Sequence, residues 1–148
     1  FIKHYAKWRK LNYAITYFYN VYGKKEINKG KYATVIAKFI SLANSGSKYL
    51  PVTYPGTQRR NFTHIDDIIS GLMLVALHGS GDNYCIAADE SFSIIEIANI
   101  KKIKIKFTPS KPGNRKDSNM ETKKLKKLGW VAKNKLEDFL ISSINKNN

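Results

Sequence analysis

The chain has 148 residues, 43% of them hydrophobic and 12% aromatic, which is enough for one domain with a sizeable core. Its formal net charge is +15, but lysine runs such as Lys123-Lys124-Leu125-Lys126-Lys127 alternate with apolar residues as a solvated helix face does, which argues against a nucleic-acid partner. The longest apolar run, Ile68–Leu77, is far below the ~20 residues that span a bilayer, Phe1–Lys10 lacks the apolar block of a signal peptide, and the single cysteine, Cys85, cannot form an internal disulfide, so a cytoplasmic chain with no membrane partner is expected.

Ile2, Tyr5 and Trp8 are spaced as one face of a helix over Phe1–Lys10. Leu11–Tyr19 is a β-branched and aromatic run, nearly continuous in apolar residues, as in a parallel strand covered on both sides; Asn20 and Gly23 close it. A polar loop follows to Lys31. Tyr32–Asn44 predicts a helix whose buried stripe is Ile36, Phe39, Ile40 and Ala43, ended by Gly46. Tyr49–Tyr54 predicts a strand, and Pro51 makes it an edge strand or a bulged one. Pro55-Gly56 makes a turn.

Arg59-Arg60-Asn61-Phe62-Thr63-His64 alternates apolar and polar residues, as a short strand carrying a cation to the edge of a site. A helix over Asp66–His78 should bury Ile68, Ile69, Leu72, Val75 and Ala76, with Asp66 and Asp67 capping its positive end. Asn83–Ala88 predicts another strand. Ser93-Ile94-Ile95-Glu96 is a capping box, with Phe92 and Ile97 spaced as a hydrophobic staple. Ile100–Phe107 alternates Ile and Lys, as a half-exposed strand does. Beyond the polar loop Lys111–Asn119, Met120–Leu128 and Leu136–Ile144 predict helices, the first closed by Gly129.

Among groups with chemistry, Arg60 is a candidate anion clamp, because a guanidinium grips phosphate through two parallel hydrogen bonds. His4, His64 and His78 are scattered without a second ligand at zinc spacing, so no metal is expected. Asp66 and Asp67 are adjacent and point in different directions, which suits capping better than paired acid/base work. Gly79-Ser80-Gly81 lacks a third glycine and follows a helical pattern, so it fails as a phosphate loop. Asn61-Phe62-Thr63 matches a glycosylation acceptor, read as chance in an Asn-rich chain.

Taken in order, LNYAITYFYNVYG over Leu11–Gly23, the helix after it, GTQRRNFTHIDDI over Gly56–Ile68, the turn Lys111-Pro112-Gly113-Asn114 and the helix end Leu128-Gly129-Trp130 resemble the C-terminal half of the extended short-chain dehydrogenase/reductase family. The similarity is to its NAD-dependent nucleotide-sugar epimerases and dehydratases, of the UDP-glucose 4-epimerase type. It implies an α/β fold: the last strand or strands of a Rossmann-type parallel sheet plus a smaller α/β substrate-binding lobe. Residues 1–23 would end the NAD-binding domain, and residues 24–148 would form mainly the nucleotide-sugar lobe, with Asn83–Ala88 a candidate to return to the sheet.

The resemblance also implies site residues. Asn20 would bind substrate, against the alternative that it only caps a strand end. Arg60 would bind phosphate; Asn61, beside it, stands where the family has Asp. Lys111 and Asn114 stand where the family has a phosphate-binding Arg and a ribose-binding Asp. Phe18 and Tyr19 would flank the nicotinamide of NAD, or pack as strand core. The family's GxGxxG loop and Tyr-x-x-x-Lys pair are absent, and Tyr5-Ala6-Lys7-Trp8-Arg9 has Arg where Lys is needed. No catalytic residue is assigned, and the chain alone is expected to be inactive. In the full-length family the enzymes form homodimers. The alternative is a non-catalytic nucleotide- or RNA-binding relative of the same fold.

Overall fold

A computed structural model describes residues 1–110 and 121–144. Helix α1 (Ile2–Arg9) ends where Lys10 turns left-handed, at φ 53°, and buries only Ala6. The Ile2, Tyr5, Trp8 face exists, but it points outward. The apolar run after it does not make one strand. Asn20, at φ 50°, breaks it into β1 (Ala14–Tyr17) and β2 (Val21–Tyr22), which take different partners. β1 pairs in parallel with β6 (Gly81–Cys85), and β2 pairs in parallel with β5 (Thr63–His64).

Helix α2 (Val35–Asn44) is capped by Thr34, whose hydroxyl accepts from the Ala37 amide at 3.3 Å, and Gly46, at φ 73°, follows its end. It buries Ile36, Ala37 and Phe39, while Ile40 and Ala43 are half-buried. β3 (Tyr49–Thr53) runs parallel to β8 (Lys104–Thr108) in unbroken register. Pro51 is therefore in an edge strand without a bulge, where a missing N–H can be tolerated. The turn at Gly56 is tight: a Cβ there would meet Val52 Cγ1 at 2.6 Å and Ile95 Cγ1 at 2.9 Å. β4 (Arg59–Asn61) then pairs antiparallel with β7 (Ser91–Ser93), a strand the hydrophobic pattern did not announce.

Helix α3 (Ile65–His78) corrects two expectations. Its cap is His64, whose Nδ1 accepts from the Asp66 amide at 3.3 Å. Asp67 is instead buried and bonded far along the chain. The helix is also rotated from the expected stripe, so that Ile69 and Ala76 are exposed and Ile68, Gly71 and Val75 face the core. Gly71 explains the rotation, because a Cβ there would lie 2.9 Å from Ile86 Cγ2 and 3.1 Å from Trp130 Nε1. Helix α4 (Ile94–Asn99) forms the capping box, with both reciprocal Ser93–Glu96 bonds made. The lysine-rich helix is only one turn, α5 (Lys123–Lys126), and α6 (Leu136–Ile144) has the expected bounds.

The apolar residues collect in two clusters. One joins β3, β8, α2, α4 and α6 around Leu50, Val52, Ile36, Phe39, Ile97 and Leu140. The other joins α3, β6 and α5 around Ile68, Val75, Ile86, Leu125 and Trp130. A polar seam links them. Asp67, 3% exposed, accepts from Lys133 N at 3.1 Å, Asn134 N at 3.0 Å and Asn134 Nδ2 at 3.0 Å. The Asn134 carbonyl in turn accepts from the Tyr22 hydroxyl at 3.3 Å. Every donor at this seam meets an acceptor, as burial of a carboxylate requires.

Candidate functional site

Three of the candidate residues, Phe18, Tyr19 and Asn20, follow directly after β1. Asn20 lies in the left-handed region, which Asn tolerates better than most side chains. Its carbonyl accepts from Thr63 N at 3.3 Å, and its Nδ2 donates to the Asn61 carbonyl at 3.4 Å. Asn20 is thus tied to the strand that carries Arg60, although 40 positions separate the two in sequence.

Alternation along β4 sends Arg59 and Arg60 to opposite faces. Arg59 is committed to structure: its Nε donates to Ser91 Oγ at 3.0 Å, its Nη1 to Glu96 Oε1 at 3.0 Å, and its Nη2 to the Ser91 carbonyl. The Glu96 carboxyl is held below its ordinary range, first by the Ser93 backbone N–H and then by Arg59. Arg60 is half-buried, and its Nη1 donates to the Arg59 carbonyl at 2.8 Å. Phe18 and Tyr19 are exposed at the carboxyl end of β1. Lys111 and Asn114 lie outside the described residues. Among the described residues, then, Phe18, Tyr19 and Asn20 follow β1 in the chain, and Asn20 is bonded to the backbone of β4, the strand that carries Arg60.

Sequence reasoning gave no structural role to two residues here. Asn61 Nδ2 lies 2.9 Å from the Ala88 carbonyl and 3.4 Å from each of the Asp89 and Glu90 carbonyls. Thr63 Oγ1 accepts from Ala88 N at 2.9 Å. The signal was present in the alternation, which places residues 61 and 63 on one face, but nothing local shows the turn they meet. That turn borders a cleft of about 440 Å³, formed by Ala87–Glu90 facing Lys126 and Gly129–Ala132. The Lys126 ammonium crosses it to Asp89 Oδ1 at 2.6 Å. His64 is packed between aromatic rings, its own ring 5.1 Å from that of Tyr22 and 5.5 Å from that of Phe139.

Parallel strand pairs packed with helices define an α/β protein. The sequence profile of the NAD dependent epimerase/dehydratase family matches residues 1–87, and the chain belongs to that family. It is 28% identical over 144 residues to GDP-mannose 3,5-epimerase 1 of Oryza sativa subsp. indica, covering 93% of this chain and 38% of that protein. It is 32% identical over 136 residues to UDP-glucuronic acid decarboxylase 5 of Arabidopsis thaliana, covering 85% of this chain and 38% of that protein. Its fold matches UDP-glucose 4-epimerase of Thermotoga maritima, solved with UDP-glucose, at a TM-score of 0.88 and 21% identity, covering 97% of this chain and 48% of that one. The chain thus spans about 38% of the length of these curated relatives.

The family is NAD-dependent. Phe18 and Tyr19 offer exposed ring surface beyond a parallel strand, against which a flat cofactor ring could pack. The residues present do not include a glycine-rich loop for the cofactor's pyrophosphate. Among the described residues no helix is long and apolar enough to cross a membrane.

Proposed function

We propose that this chain is a substrate-holding portion of a nucleotide-sugar epimerase or dehydratase, in which Arg60 and Asn20 anchor the nucleotide diphosphate. The observation that carries this reading is the bond from Asn20 Nδ2 to the Asn61 carbonyl, which brings two distant motif residues to one edge. A guanidinium there supplies charge and a bidentate fork for a phosphate. Lys111 would add charge without the fork, and Asn114 would accept from one ribose hydroxyl. Phe18 and Tyr19 would line the cofactor side.

NAD, when bound, supplies hydride acceptance and return. The chain's own residues hold the diphosphate so that the sugar is presented in a reactive pose, which is catalysis by remote binding energy. Residues 1–23 together with β6 would belong to the cofactor-binding sheet and most of residues 24–148 to the substrate lobe. The whole enzyme would be a cytoplasmic homodimer.

Titration of UDP and UDP-glucose into the purified chain tests the anchoring. Arg60→Ala should weaken UDP affinity at least about tenfold, the effect of losing a charge-assisted bidentate contact. The chain with NAD should not turn over UDP-glucose. Unchanged affinity in the alanine variant sinks the reading. Tight, salt-sensitive binding of an RNA oligomer without preference for UDP would favour a binding relative instead.

A further inference from the structure

We infer that Asn61 is the positioning residue of the anchoring edge, and that this position demands a neutral hydrogen-bond donor. The inference rests on the reading of Arg60 and Asn20 as diphosphate anchors. Three consecutive carbonyl oxygens, of Ala88, Asp89 and Glu90, converge on the tip of the Asn61 side chain, at 2.9, 3.4 and 3.4 Å. Three carbonyl dipoles aimed at one point form a negative niche, and only a donor is stable in it. A carboxylate of the same shape would set a full negative charge against all three.

The side chain acts on the site through the backbone. Asn61 is the last residue of β4, paired across to Ser91, and its carbonyl receives Asn20 Nδ2 at 3.4 Å. Two residues on, Thr63 Oγ1 takes the Ala88 N–H at 2.9 Å, so the turn is gripped through both its donor and its acceptors. Holding that turn fixes the end of β4, and with it the backbone position of Arg60 and the seat of Asn20. The Asp usual in the family at this position would be the wrong residue here. Restoring it should damage the protein.

The test compares thermal midpoints of the parent chain, N61D and N61A between pH 8 and pH 4.5. A protonated aspartic acid regains one O–H donor, and the niche raises its pKa. N61D should therefore melt at least about 5 °C below the parent at pH 8, with the gap closing by more than half at pH 4.5. N61A should show a gap that does not change with pH. The neighbouring charges, namely Arg60, Glu90, the Asp89–Lys126 pair, the Arg59–Glu96 pair and His64, are common to all three proteins, so their own titration cancels in the differences, while their pull on a charge at position 61 is felt in N61D alone. If N61D has no folded state at pH 8, recovery of a cooperative transition at pH 4.5 supports the inference.

An N61D that matches the parent at pH 8, or a gap insensitive to pH, overturns it. A UDP titration at pH 8 reads the link to the anchor: N61D should lose at least about tenfold in affinity, and R60A/N61D should bind no worse than R60A. Losses that add also overturn it. If the parent itself does not bind UDP, the anchoring reading fails, and the melting arm alone decides what position 61 requires.

Discussion

The seam around Asp67 and the outer faces of α1 and α3 are opposite solutions to burial. At the seam a buried carboxylate has three N–H partners, from Lys133 and Asn134, and Trp130 Nε1 donates to the Asp67 carbonyl at 3.2 Å. On the outer faces the reverse holds. Trp8 is 71% exposed, Met73 60% and Leu77 72%, with Ile2, Tyr5, Ile65 and Ile69 also open. One region buries polar groups and satisfies them within the chain. The other leaves large apolar side chains in water, each open to packing by another surface. The contrast teaches that the link between the two clusters is complete in this chain, whereas α1 and α3 have finished only their inward packing.

Removing the carboxylate should have the largest effect. Asp67→Ala leaves the two backbone amides and the Asn134 amide without an acceptor in a buried seam, and should cost about 3 kcal/mol or more in chemical denaturation. A loss under about 1 kcal/mol would mean that water reaches the seam, and would remove the contrast. Gly71→Ala comes next. The added methyl would gain about 1 kcal/mol of helix propensity, yet it would press on Ile86 and Trp130. We expect net destabilisation of about 1–2 kcal/mol. A stabilised variant would show that α3 can rotate away from Trp130.

Glu26 sharpens the comparison because it is a seam left half-made. Its Oε2 accepts from Gly23 N at 3.4 Å, while its Oε1 is buried without a hydrogen-bond partner among the described residues. Burial, partly offset by the nearby Thr34 hydroxyl and the Gly23 N–H, pushes the carboxyl above its ordinary value of 4.5. The folded state therefore holds this proton more tightly than the unfolded chain does. Stability should fall as pH rises from the ordinary glutamate value through the raised one. Glu26→Gln should flatten that slope and be the more stable protein above it, as read from melting midpoints between pH 4 and pH 7. A variant that keeps the parent's slope would assign it to another group.

The smallest effect on stability is expected on the outer faces. Trp8→Lys and Leu77→Lys should each change folding free energy by less than about 0.5 kcal/mol, since little is buried there to lose. Each should nonetheless raise the concentration at which the chain self-associates, measured by light scattering. A clear loss of stability would show that these faces are already packed.

Local signals made several elements legible in the sequence. The Ser93–Glu96 box specifies a helix start through bonds three residues apart, and Gly46 and Gly129 mark ends that need positive φ. The motif order around Asn20 and Arg60 also exposed the family, because linked segments in order carry more information than any one of them. Residue type and short spacing sufficed for these features. Tertiary structure alone decided which partner each side chain met. Asp67 read as a helix cap until Lys133 and Asn134 came to it from 66 and 67 positions away. Ile69 and Ala76 read as core until Gly71 set the rotation of α3. Asn61 read only as a residue standing where the family has Asp until the carbonyls of residues 88–90 closed on it. Periodicity along the chain shows which side of an element is apolar, but the groups that a buried polar atom must find lie on segments that only folding brings near.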